Sequence, residues 1–152
     1  MDATPHLVMG AALTMRAHPI AAFGVGLVSH AILDAIPHYN YTGWRSFSPI
    51  LAMDVVVGVC LVLAIVWMAS KPWGAAAGAA GGIFPEIERL LSGNREDLFG
   101  RLPIRLPQSE IGLPWGLVTQ IAVTVTGLAI AIRLSRRRAA APALPGGDRA
   151  EG

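Results

Sequence analysis

The feature that most constrains this chain is a mainly apolar segment of 22 residues, Ile111 to Ile132, which contains no formally charged residue. An α-helix rises about 1.5 Å per residue, so a segment of this length can cross the hydrocarbon core of a bilayer, which is roughly 30 Å thick. The whole chain is 53% hydrophobic and 14% charged, whereas a soluble domain has about 25% charged residues. The sequence therefore predicts an integral membrane protein.

Prolines divide the rest of the chain into further apolar helices. Leu7 to Met15 is too short to span a membrane, because a spanning helix needs about 20 apolar residues. Three longer helices are predicted at Pro19–Ala35, Ile50–Ser70 and Trp73–Leu91, each beginning at or beside a proline, a residue well suited to the first helical turn. The predicted fold is all-α, a polytopic membrane bundle of about four spans plus a short N-terminal helix.

The basic residues predict how the chain lies in the membrane. Arg133 and Arg136 to Arg138 directly follow the last predicted span, which favours a cytoplasmic C-terminus by the positive-inside rule. This clustering accounts for the net charge of +2 without a nucleic-acid-binding surface. We therefore expect one transmembrane helical domain, residues 1–138, in the cell membrane with the lipid bilayer as its partner. Residues 139–152, rich in Ala, Pro and Gly, are expected to form a disordered tail.

Chemically distinctive residues lie near the end of the second predicted helix. His30 and Asp34 are four residues apart, so they share one helix face, and His38 follows just beyond the helix end. An Asp in the middle of a bilayer costs about 2.5 to 3.5 kcal/mol on the insertion scale. A bound cation or a proton-transfer role would offset that cost. The alternative is that His30 and Asp34 bond only to each other as a structural pair.

Two more carboxylates belong to predicted membrane helices. Asp54 lies one turn inside the third helix, and Glu86 lies toward the far end of the fourth. Because successive spans alternate in direction, both are expected on the same side of the membrane as Asp34, in one shared site. As alternatives, Asp54 is solvated or bonded to a neighbouring backbone group, and Glu86 is paired with Arg89.

A row of small residues predicts close helix packing in the fourth helix. Gly74, Gly78 and Gly82 recur every four residues, a spacing that lets helix backbones approach each other closely in lipid. We expect Gly78 to lie where two helix backbones nearly touch. The same row also offers an interface for a homo-oligomer.

The stretch SHAILDAIPHYNY from Ser29 to Tyr41, taken with His6, Asp54 and the segment Gly81 to Glu86, resembles the small bacterial membrane proteins related to the predicted membrane-bound metal-dependent hydrolases. The likeness covers roughly residues 6–88. It implies a metal site, with candidates His6, His30, Asp34, His38 and Asp54.

Together these patterns predict a divalent metal ion, with zinc suited to mixed imidazole and carboxylate ligands. The ligands predicted are His6 (from the resemblance), His30, Asp34 and Asp54, with His38 or Glu86 as the general base. The reaction would be hydrolysis of a lipid-like or other amphipathic substrate. Two other functions remain open: a non-enzymatic carrier or proton relay using the same groups, and a structural membrane subunit.

Overall fold

The computed structural model of the protein describes residues 3–39, 49–91 and 111–139. These ranges form five helices, which confirms the all-α prediction for this part of the chain: α1 (Ala3–Leu13), α2 (Pro19–Asp34), α3 (Pro49–Met68), α4 (Pro72–Leu91) and α5 (Trp115–Ala139). The predicted tail beyond Ala139 and the side chain of Arg89, proposed above as a partner of Glu86, lie outside the described residues.

The N-terminal helix begins earlier than the sequence predicts. We expected it to start at Leu7, but α1 starts at Ala3, so His6 lies inside the helix. The backbone N–H of Thr4 donates to Asp54 Oδ2 at 3.1 Å, and the Thr4 hydroxyl donates to the Asp54 carbonyl oxygen at 2.6 Å. A first-turn N–H has no partner within its own helix. Asp54 therefore supports an additional turn from a position 50 residues away.

Although it is the shortest element, α1 is the centre of the bundle. It contacts each of the other four helices, and nearly every one of its residues is buried. A helix that is apolar on all sides is stable only when it is surrounded. The core is built around it, from Ala3, Leu7, Val8, Ala11, Ala12, Met15, Ile65, Ala69, Ala75, Ala79 and Ala131.

Contacts along α1 fix the directions of α3 and α5. The first turn of α1 meets Asp54 near the start of α3, while Ser70, just after α3, donates to the Met15 carbonyl. Likewise, Arg16 Nη2 donates to the carbonyl of Leu134, near the end of α5, at 2.8 Å. The helices α1, α3 and α5 therefore run in one direction, and the ends of α3 and α5 lie beside the end of α1.

The glycine row of α4 packs against α1, and α4 runs antiparallel to it. A Cβ placed on Gly82 would overlap the His6 carbonyl oxygen, and one on Gly74 would overlap the Ala17 carbonyl oxygen. At Gly78 an added Cβ would overlap the Gly10 carbonyl oxygen and the Thr14 hydroxyl. The predicted close approach at Gly78 is therefore confirmed.

This packing bears on the homo-oligomer predicted through the same glycines. All three glycines of the row, Gly74, Gly78 and Gly82, meet backbone atoms of the same chain between His6 and Ala17. Pairing of the row with a second copy would require α1 to move away. Self-association through the glycine row stays a prediction, and it requires that α1 be displaced.

Among the described residues, two helices are long and apolar enough to cross a membrane, α3 over Pro49–Met68 and α5 over Trp115–Arg137. In the most apolar 18-residue stretch of each helix, only 11% of α3 and 17% of α5 is buried inside the bundle. The core helix of a soluble protein would be mostly buried. Large apolar side chains on both helices face outward, among them Leu63, Trp67 and Val125. At 16 residues, α2 is shorter than the roughly 17 to 25 residues of a spanning helix.

Candidate metal centre

The last turns of α2 present two potential ligands on one face. His30 Nε2 lies 3.3 Å from Asp34 Oδ2, as the four-residue spacing predicts. Both residues are buried, since this face of α2 packs against α1 and α4. The helix ends at Asp34, three residues before Pro37, because proline disfavours the helical conformation in the residue before it.

The helix α1 adds a second imidazole. His6 Nε2 lies 3.3 Å from Asp34 Oδ1, and the rings of His6 and His30 stack with centroids 4.0 Å apart. His6 is 0% exposed, and neither ring nitrogen has a hydrogen bond of good geometry among the described residues. The 3.3 Å separation between His6 Nε2 and Asp34 Oδ1 is short enough for an ion pair. The two groups are not aligned for a hydrogen bond.

The electrostatic setting of His6 favours the neutral imidazole. Burial lowers the pKa of His6 to about 4, because removal from water penalises the charged form. His6 belongs to α1, which is outside the two candidate membrane-spanning helices. A neutral imidazole at pH 7 has a nitrogen lone pair, which is the form that binds metal ions.

The helix α4 contributes the fourth donor. Glu86 Oε1 lies 4.0 Å from His30 Nε2, and Glu86 is buried. One potential ligand atom from each of His6, His30, Asp34 and Glu86 can be chosen so that all lie within 4.8 Å of one another. Side chains from three helices, α1, α2 and α4, thus converge on one point, and we refer to these four residues as the donor cluster.

A backbone group fixes the orientation of His30. His30 Nδ1 lies 2.7 Å from the Gly82 carbonyl oxygen. Because a carbonyl oxygen only accepts hydrogen bonds, Nδ1 must carry the hydrogen and donate it. The other nitrogen, Nε2, is thereby directed at Asp34 and Glu86. Histidines that bind metal ions usually donate their second ring N–H to a carboxylate or backbone carbonyl in this way. Sequence analysis missed this role of Gly82, which appeared there only as a packing residue.

Two of the predicted site residues lie outside the donor cluster. The Asp54 carboxylate accepts the Thr4 N–H, matching the alternative in which it bonds to a neighbouring backbone group. His38 is buried, and its Nδ1 donates to the Ile36 carbonyl at 2.8 Å. The structure thus brings together His6, His30, Asp34 and Glu86, and it does not bring Asp54 or His38 into that group. Ligation by Asp54 and a general-base role for His38 stay predictions.

The segment that carries His38 is held by the start of α5. The Ile111 N–H donates to the His38 carbonyl at 3.0 Å, and Thr119 and Gln120 donate to the carbonyls of Pro37 and Tyr39. Gly116 leaves room for this contact, since a Cβ there would overlap Tyr39. These bonds anchor the chain just beyond the donor cluster.

Replacing Asp54 with Ala should destabilise the protein without removing a metal ion. The variant loses a bond to the first turn of α1, and comparable helix caps contribute about 0.5 to 2 kcal/mol. We expect a lower thermal midpoint with unchanged zinc content. The control is His18→Ala, since His18 caps α2 without any side-chain hydrogen bond and should leave the midpoint unchanged. Loss of zinc in the Asp54 variant would instead support its predicted role as a ligand.

Comparisons with known proteins give no family assignment. No protein-family model matches the chain, and neither a curated protein nor a solved structure matches it. The resemblance to the predicted membrane-bound metal-dependent hydrolases stays a prediction.

Proposed function

We propose that this protein is an integral membrane protein that binds a divalent metal ion, zinc, within the donor cluster of His6, His30, Asp34 and Glu86. The observation that carries the proposal is the convergence of these four buried donors to within 4.8 Å of one another. Buried carboxylates need a compensating positive charge. Two ionised carboxylates with two neutral imidazoles would give the cluster a charge equal and opposite to that of a divalent ion.

Two separations between the donors match those of ligands on a tetrahedral ion. Ligands bound to zinc at about 2.0 to 2.1 Å in a tetrahedron lie about 3.3 to 3.4 Å from each other. His6 Nε2 lies 3.3 Å from Asp34 Oδ1, and His30 Nε2 lies 3.3 Å from the other carboxylate oxygen, Asp34 Oδ2. Glu86 is farther away, at 4.0 Å from His30 Nε2. We therefore assign His6, His30 and Asp34 as the three ligands, with Glu86 beside the fourth position.

Three protein ligands with one position open to water are typical of catalytic zinc sites, whereas structural zinc sites have four. A bound divalent ion supplies Lewis acidity that lowers the pKa of water to about 7. The Gly82 carbonyl holds the His30 ring, and Asp34 contacts both imidazoles. Glu86 would accept a proton from a water molecule activated by such an ion. We propose hydrolysis of a lipid-like or amphipathic ester that reaches the site from the membrane.

The hydrolase proposal is tested with the purified, detergent-solubilised protein and a chromogenic fatty-acyl ester. We expect hydrolysis that chelation abolishes and zinc restores. Glu86→Gln should keep zinc but lose most of the rate, because removing a general base typically costs about 10²- to 10⁴-fold. His18→Ala should behave as the wild type. Zinc binding without hydrolysis of acyl esters would contradict the hydrolase proposal and leave a metal-binding protein.

A specific contact favours the second candidate, a proton relay. His6 and His30 stack, and the Asp34 carboxylate lies 3.3 Å from Nε2 of each, so three groups that can carry a proton lie side by side. In membrane proteins, chains of buried carboxylates and histidines carry out this function. Purified protein that contains no metal and takes up none would favour the relay over the hydrolase.

We also propose the finer topology, a four-span bundle with its C-terminus in the cytoplasm. The support is the clustering of cationic side chains at the end of the bundle opposite the donor cluster. At that end, Arg16 donates to the Leu134 carbonyl of α5 and the Lys71 N–H donates to the Met15 carbonyl. The side chains of Arg133, Arg136 and Arg137 are exposed on the last turns of α5. By the positive-inside rule, we assign that end to the cytoplasm and the donor cluster to the opposite side. The three arginines of the segment from Ser92 to Glu110 would then also be on that opposite side, which counts against the assignment.

Cysteine labelling tests this orientation. In a Cys60→Ser background, Ala35→Cys and Lys71→Cys place single exposed thiols at the two ends of the bundle. A membrane-impermeant thiol reagent should label the Ala35 variant in intact cells and the Lys71 variant only after permeabilisation. The reverse pattern would place the C-terminus outside.

A further inference from the structure

The helices α2 and α4 meet at a second glycine contact, which is centred on Gly26. A Cβ placed on Gly26 would overlap the Gly78 carbonyl oxygen and lie 2.8 Å from the Gly82 backbone nitrogen. Only glycine permits this approach, because any side chain at position 26 would push the two helices apart. The neighbouring Gly24 differs, since a Cβ there meets nothing within 4 Å.

The Gly26 contact lies one helical turn from the bond that orients His30. On α2, His30 follows Gly26 by four residues and shares its face, and on α4, Gly82 follows Gly78 by the same spacing. His30 Nδ1 reaches the Gly82 carbonyl at 2.7 Å. Because adjacent turns of a helix move together, a separation imposed at Gly26 and Gly78 extends to His30 and Gly82, which are one turn away. Lengthening this bond by less than about 1 Å would break it.

We infer that Gly26 is a positioning residue for the donor cluster. Its missing side chain lets α4 come close enough for the Gly82 carbonyl to hold the His30 ring, with Nε2 turned toward Asp34 and Glu86. The consequence for metal binding rests on the function proposed above. The consequence for the ring of His30 does not, since the hydrogen bond to Gly82 joins two groups of the protein itself.

Three alanine variants separate positioning from packing. Gly26→Ala is the test, and Gly24→Ala is the control without steric overlap. Gly74→Ala is the control with overlap, since its Cβ would meet the Ala17 and Thr14 carbonyls far from His30. Zinc affinity is measured by competition with a chelator, and the thermal midpoint is measured on metal-free protein.

We expect Gly26→Ala to weaken zinc binding by about 10- to 100-fold, the usual effect of losing a partner that orients a metal ligand. Gly74→Ala should lower the thermal midpoint and keep the affinity, and Gly24→Ala should change neither. Equal affinities for Gly26→Ala and Gly74→Ala would mean that Gly26 contributes packing alone, and the inference would fail while the metal site stands.

A measurement on metal-free protein tests the same inference independently. Nitrogen-15 NMR of the His30 ring should show a hydrogen on Nδ1 in the wild type, with a hydrogen-bonded shift that Gly26→Ala removes and Gly74→Ala retains. This holds even if the wild type takes up no zinc, a result that would contradict the proposed function only. If Gly26→Ala does not fold, the same NMR measurement on the wild type provides the test. A His30 Nδ1 without a hydrogen would overturn the inference, and a His30 Nδ1–H bonded to Gly82 would support it.

Discussion

Replacing Asp34 with Ala is expected to abolish zinc binding while the helices still fold and insert. Asp34 contacts both imidazoles of the donor cluster, with 3.3 Å separations to His6 and to His30. Removing even an outer partner of a metal ligand costs about 10- to 100-fold in affinity, so removing a direct ligand should cost at least about 100-fold. The measurement is zinc content after purification, together with affinity from chelator competition.

Two further variants define what the Asp34 result means. Asp34→Asn keeps the size of the side chain and removes its charge, so it should lose nearly as much affinity as Asp34→Ala. His18→Ala removes an exposed imidazole at the start of the same helix and should keep full zinc content. Wild-type zinc content in Asp34→Ala would exclude Asp34 as a ligand and remove the basis of the proposed site.

Replacing Gly78 with Leu is expected to cause the largest loss of stability. The Gly78 backbone meets α1 on one side, and its carbonyl oxygen meets α2 at Gly26 on the other. Adding carbons to a well-packed contact costs about 1 to 3 kcal/mol, occasionally more, and a leucine here meets backbone atoms that cannot rotate away. We expect a clearly lower thermal midpoint and reduced zinc content, since α4 carries both Glu86 and the Gly82 carbonyl.

The matched control is Gly24→Leu, where the added side chain enters open space and both properties should match the wild type. The Gly78 variant should still reach the membrane, because leucine favours insertion by a few tenths of a kcal/mol. If Gly78→Leu retains the thermal midpoint and zinc content of the wild type, the α1–α4 contact does not hold the donor cluster together.

Local patterns in the sequence were sufficient to predict most of the helices. The length of the apolar segments predicted α3 and α5, and the prolines predicted where α2 and α4 begin, because proline fits the first helical turn and disrupts later ones. The four-residue spacing of His30 and Asp34 predicted their contact. Each of these inferences needs only residues that are close together in the chain.

The remaining features depend on contacts between distant segments. The central position of α1 cannot be predicted from its own composition, since a short apolar helix could equally lie at the surface of the membrane. Its start at Ala3 depends on Asp54, and the placement of His6 in the cluster depends on how α1 packs against α2. Glu86 was predicted as a base, and its proximity to His30 follows from the glycine contacts of α4. Hydrophobic periodicity carries no information about such pairings.

X-ray absorption spectroscopy at the zinc edge, on purified protein loaded with one equivalent of zinc, tests the central claim most directly. The account predicts nitrogen and oxygen ligands at about 2.0 to 2.2 Å, with the scattering pattern of two imidazoles. That pattern should be lost in His6→Ala and in His30→Ala, and it should be retained in His18→Ala. Failure to retain zinc, or a zinc environment without imidazole, would contradict a metal centre at the donor cluster.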